Sequence, residues 1–204
     1  SGSSGLVSSQ IDSYDMHYRI KERIYQTLKC NLLVVVTDNV ILCQDKKLQL
    51  YDFTGTKVRE WVLASDIRFI KVDGGKAGSE GVLLGLKDGT VLKVYVDNPF
   101  PIELIKQTSC IKCLDISVDR KRLAVVDNEN RILVYDLTTK EVVFQESNAT
   151  SVAFNTELGD MLSYAGNGVL SLKTGNHAVT SQKLPGFVVG FRGSKIFSLH
   201  YQQM

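Results

Sequence analysis

Proline is scarce in this chain, with three among 204 residues, and long apolar runs are missing. The longest, Leu32-Leu33-Val34-Val35-Val36, falls far short of the roughly 20 residues that span a bilayer, so no direct membrane insertion is expected. No charged-then-apolar secretory leader is visible. Charge of one sign is also lacking: 24 basic residues face 22 acidic ones, which gives no strong field for nucleic acid or an anionic membrane. Histidine occurs three times, as His17, His177 and His200, without ligand spacing. Neither a metal nor any other cofactor is therefore expected, and no catalytic residue either. The four cysteines, Cys30, Cys43, Cys110 and Cys113, all sit in apolar strand-like surroundings. They read as free buried thiols of an intracellular protein, not as a disulfide framework.

What is present is a repeat. Tyrosine-containing or apolar strands follow tight turns at Leu48–Asp52, Val91–Val96, Ile132–Asp136 and Val169–Leu172, with steps of about 44, 40 and 36 residues, close to the ~40–45 of WD-type blades. Each copy carries an apolar strand before the turn, such as Gly81-Val82-Leu83-Leu84-Gly85-Leu86. Each also carries a more charged strand after it and a further strand that opens the unit. Consecutive apolar residues suit strands buried on both faces between neighbouring sheets. Lys57, Arg59 and Glu60, then Glu103 and Lys106, then Lys140 and Glu141, suit outer strands whose free edge must resist pairing.

The expected fold is all-β: a degenerate WD40-like β-propeller segment of about four four-stranded blades plus a partial blade. Blades are placed at about 30–63, 66–107, 109–145 and 149–183, with a partial blade at 186–201. Residues 1–5 read as an expression tag and 6–15 as a disordered linker. Residues 16–24 fit a strand or a short amphipathic helix; the strand reading is favoured, and it would complete the last blade within a propeller segment spanning 16–201. An irregular β-sandwich is the alternative. No copy ends its third strand in Trp-Asp, and none opens on Gly-His, so the His–Ser–Trp–Asp network of strict WD blades cannot form. Apolar packing is expected to hold the blades instead.

Motifs with chemical meaning fare poorly against their surroundings. Cys110-Ile111-Lys112-Cys113 lies in a predicted strand and has no second pair, so structural thiols fit better than redox or zinc chemistry. The glycine-rich stretch Asp73–Gly81 has Ala77 where a phosphate loop needs a hydroxyl, and reads as an inter-strand loop. Asn148-Ala149-Thr150 matches a glycosylation acceptor but is expected to stay unmodified. Asp52, Asp88, Asp115 and Asp136 read as turn or strand-end residues. Lys46-Lys47 and Arg120-Lys121-Arg122 are the only basic clusters that suit a phosphopeptide or lipid headgroup reader. A propeller enzyme would need polar groups converging at inner-strand ends, and these are sparse. The candidate partner contacts are Trp61, on an outer strand, and Pro99, Phe100 and Pro101 in a loop, because aromatic anchors dominate interface energetics.

Several colinear stretches resemble one family: Asp15–Glu22, Cys30–Val35, Arg59-Glu60-Trp61, Leu123–Asp127, Gly186–Gly190 and Gly193–Phe197. They are similar to the second WD-repeat propeller of the intraflagellar transport protein 122 family, whose members are subunits of the retrograde complex A. The resemblance covers nearly the whole chain from about Ser13 to His200. It implies a non-enzymatic interaction scaffold acting in retrograde ciliary transport and cilium assembly. It also implies location in the cytoplasm and the cilium, at basal body and axoneme. The implied partners are other complex A subunits and tubby-like cargo adaptors.

Overall fold

A computed structural model describes residues 29–201. The expected tag at 1–5, linker at 6–15 and strand at 16–24 lie outside the described residues. All regular structure among the described residues is β. Strands β1 (Leu32–Val35), β2 (Asn39–Gln44), β3 (Lys47–Asp52) and β4 (Lys57–Val62) form the first four-stranded antiparallel sheet in sequence order. The second holds β5 (Ile67–Gly74), β6 (Gly81–Leu86), β7 (Thr90–Tyr95) and β8 (Ile102–Lys106). The third holds β9 (Ile111–Ile116), β10 (Arg122–Asp127), β11 (Arg131–Asp136) and β12 (Val142–Ser147). The fourth holds β13 (Ser151–Phe154), β14 (Met161–Gly166), β15 (Val169–Thr174) and β16 (Thr180–Lys183). A pair, β17 (Phe187–Arg192) and β18 (Lys195–Leu199), follows.

Period-2 alternation explains how the sheets stack. On β6, Val82 and Leu84 point into the cluster shared with the first sheet, where Ile41, Leu48 and Leu50 wait, while Leu83 points into the cluster shared with the third. On β10, Leu123 and Val125 face the second sheet, and Ala124 and Val126 face the fourth. Val188 and Phe191 of β17 close a smaller cluster over Ala153 and Ala165. A strand buried on both faces has no polar face to show, so its sequence reads as one apolar run. These are the blades of a propeller segment, not the two layers of a sandwich.

The turns follow the same logic. Between β14 and β15, Asn167 (φ 51°) and Gly168 (φ 73°) take the two left-handed positions of a tight hairpin that matches strand twist. Three outer strands carry an irregularity where they meet β3, β7 and β11, at Leu50/Tyr51, Val91/Leu92 and Val134/Tyr135. Such bulges twist a free edge away from foreign strands, a device that composition does not reveal.

Two expectations need correcting. Lys140 and Glu141 precede β12 instead of lying in it; Lys140 takes a turn conformation with φ 64°. The opening strand β1 buries one face only, leaving Leu33 and Val35 exposed, because no sheet precedes it among the described residues.

Candidate interaction site

The loop between β7 and β8 is fixed before it meets anything. Asn98 donates its backbone N–H to Tyr95 O (3.0 Å), and its side-chain Oδ1 accepts the Phe100 N–H (2.9 Å). Pro99 and Pro101 restrict the backbone on either side of Phe100. The carbonyl of Asn98 accepts the indole N–H of Trp61 at 3.1 Å, which ties the loop to the neighbouring blade. Phe100 is 74% exposed at the tip, and both flanking prolines are exposed too.

Trp61 itself is only 4% exposed, which corrects its assignment as a partner contact. Alternation along β4 turns Arg59 and Trp61 toward the second blade and leaves Val58, Glu60 and Val62 outward. The ring joins the core shared by the first two blades, with the Arg59 guanidinium 5.9 Å from its centroid. Trp61 therefore positions the loop that displays Phe100. Nothing in β4 itself signals this, because alternation sets Val58 and Val62 on one face and Trp61 with Lys57 and Arg59 on the other, so the apolar count favours the face that is exposed.

Apolar clusters join neighbouring blades, as expected, and polar latches do so too. Asp115 of β9 accepts Lys71 Nζ of β5 (2.6 Å) and the Phe154 N–H of β13 (2.7 Å), so one carboxylate spans three blades. Asp115 is thus no mere strand-end residue, unlike Asp52, Asp88 and Asp136, which accept N–H groups two to four residues on. Asp73 receives Lys93 Nζ at 2.6 Å within its own blade and Arg120 Nε at 3.4 Å from the next. Asn155 exchanges hydrogen bonds with both backbone groups of Gly193, and Ser151 Oγ accepts the Val188 N–H. These pairs take the place of the missing His–Ser–Trp–Asp network.

The remaining motifs are absorbed by the fold. Of the four cysteines expected to be buried, only Cys43 is; Cys30, Cys110 and Cys113 are half-buried. Partial burial still pushes the Cys113 thiol up to about 12 and raises Cys110, so neither supplies the thiolate that redox or zinc chemistry needs. No group of metal-ligating side chains occurs among the described residues. In the glycine-rich loop, the Gly78 N–H that a phosphate would want is already donated to Glu80 Oε2 (2.8 Å). The basic triplet does not form one patch. Arg120 binds Asp73 and the Val118 carbonyl, Lys121 is exposed, and Arg122 turns into a crevice between the third and fourth blades.

Glu80 also joins blades, since its Oε1 accepts the Thr37 N–H at 3.1 Å. Hydrogen bonding from Thr37, opposed by burial, holds its carboxyl below the usual range. A carboxyl lowered in the folded state stabilises the fold above its unfolded value, about 4.3, and loses that contribution as pH falls through the folded value. Between pH 6 and pH 3 the melting temperature should therefore fall more steeply with pH in the unsubstituted chain than in Glu80→Gln. Parallel curves would remove Glu80 as a source of acid lability.

A family model described as the IFT122 second beta-propeller matches residues 6–204. The intraflagellar transport protein 122 homolog of Xenopus tropicalis is 56% identical over 193 residues, covering 95% of this chain and 16% of that protein. The Homo sapiens homolog is 56% identical over 189 residues, covering 93% and 15%. The chain thus spans about a sixth of the length of these relatives. Among solved structures, one titled Crystal Structure of Mitotic Checkpoint Complex aligns with a TM-score of 0.61 over 75% of this chain and 50% of its own. At 15% identity that likeness concerns the fold alone.

Proposed function

The chain belongs to the IFT122 second β-propeller family, and on that premise we propose that it is a non-enzymatic interaction scaffold within a subunit of intraflagellar transport complex A. Its work is retrograde ciliary transport and cilium assembly, at the basal body and along the axoneme. Its partners are sibling complex A subunits, with tubby-like cargo adaptors as transient ones.

The observation that carries this reading is the pre-set loop with Phe100 at its tip. Ordering a mobile loop on binding costs affinity, and here the ordering is already done by Asn98, two prolines and Trp61. An exposed aromatic on such a loop is the residue type that dominates interfaces. Phe100→Ala in the full-length protein should weaken its association with complex A subunits about thirtyfold, the ~2 kcal/mol of an interface hot spot. Co-purification from ciliated cells, with ciliary cargo return scored in the same cells, measures it. Undiminished recovery would remove the loop from the interface.

A further inference from the structure

The crevice between the third and fourth blades has its own recognition chemistry. It is a cavity of about 320 Å³ lined by residues of both sheets. Val143 and Phe144 of β12 line one wall, and Phe154 and Leu162 of the fourth blade line the other. Val143 reaches this wall because of the irregularity at Val134/Tyr135, where Val134 pairs with Phe144 and Tyr135 with Val142. The extra residue lets two neighbouring side chains, Val143 and Phe144, line the same wall.

Above these apolar walls stand two cations. Lys173 lies 5.6 Å from the Phe144 ring centroid and donates to the His177 carbonyl. The guanidinium of Arg122 makes no hydrogen bond or ion pair among the described residues, although it is half-buried. Asp136 and Asp119 attract it from a distance, but the first already accepts the N–H groups of Thr138 and Thr139, and the second accepts Ser117 Oγ and the Lys121 N–H. Asp160 is the single acidic residue on the lining. A half-buried guanidinium with free donors favours a planar carboxylate, which it binds by two parallel hydrogen bonds. The nearby Asp160 disfavours a doubly charged phosphate.

We propose that this crevice docks an acidic peptide segment of a partner protein, an apolar side chain entering between Phe144 and Leu162 while an adjacent carboxylate meets Arg122. The proposal rests on the scaffold reading but concerns a site separate from the Phe100 loop. It is tested on the 204-residue chain alone, so a negative Phe100 experiment leaves it standing.

The probe is a fluorescein-labelled decapeptide alternating leucine and glutamate, with binding read by fluorescence anisotropy. Two companion peptides replace every glutamate by glutamine or every leucine by serine. The first peptide should bind, and each companion at least tenfold more weakly. Arg122→Gln should weaken binding about tenfold, Lys173→Gln less, and Lys106→Gln on β8 not at all. Should Arg122→Gln fail to fold, Lys173→Gln and the peptide comparison decide the matter. Equal binding of all three peptides, or binding indifferent to both substitutions, would overturn the proposal.

Discussion

Asp115→Ala should be among the most destabilising single polar substitutions in this chain, lowering stability by about 2–4 kcal/mol and the melting temperature by roughly 5–15 °C. The residue is small and charged, and only 6% exposed, yet it joins β5, β9 and β13 through Lys71 and the Phe154 N–H. Its removal strands that buried N–H, a loss of about 1–3 kcal/mol. Lys71 adds less, because at 40% side-chain exposure it can turn back to water. Asp115→Asn keeps one acceptor oxygen and should therefore cost about half as much. Lys71→Met should cost less still, since it leaves the Phe154 bond intact. Urea titration of the three variants orders them. Lys71→Met as damaging as Asp115→Ala would mean that the ion pair, and not the backbone bond to the fourth blade, dominates the latch.

The latch also marks where sequence reasoning stops. Strand order and blade architecture were legible because burial on both faces and turn chemistry are written locally, as in Gly81–Leu86 or the Asn167-Gly168 hairpin. Asp115 was not, because its partners lie 44 and 39 residues away and nothing around it in the sequence distinguishes it from Asp52 or Asp136. The same limit applies to the site. Phe100 between two prolines could be picked out from its neighbours alone. Its dependence on Trp61, which bonds Asn98 from 37 positions earlier, arises only when two blades stack. Arg122 hid inside a basic triplet whose three side chains diverge once β10 fixes where its first residue points.

Gly85 carries the other large effect, and for a reason of space instead of backbone conformation. It lies mid-strand on β6, and its φ lies outside the left-handed region that glycine favours. A side chain added there would meet the Ile111 methyl, with Ile111 Cβ at 2.9 Å, across the contact between the second and third blades. Isoleucine branches at Cβ and has few ways to turn aside. Gly85→Ala should therefore cost about 1–3 kcal/mol, even though alanine ordinarily suits a strand better than glycine. Gly85→Val should cost more and lower the cooperativity of unfolding, by wedging the two sheets apart. Ile111→Ala alone opens a cavity at a fully buried position and should cost about 2–5 kcal/mol. The double variant Gly85→Ala/Ile111→Ala distinguishes a steric wedge from a loss of strand geometry. The new methyl then occupies room that the isoleucine has vacated, and the combined loss should fall short of the sum by about 1 kcal/mol. Strict additivity in denaturant titrations would show that Gly85 is not there to admit Ile111, and that the close approach of β6 and β9 has another cause.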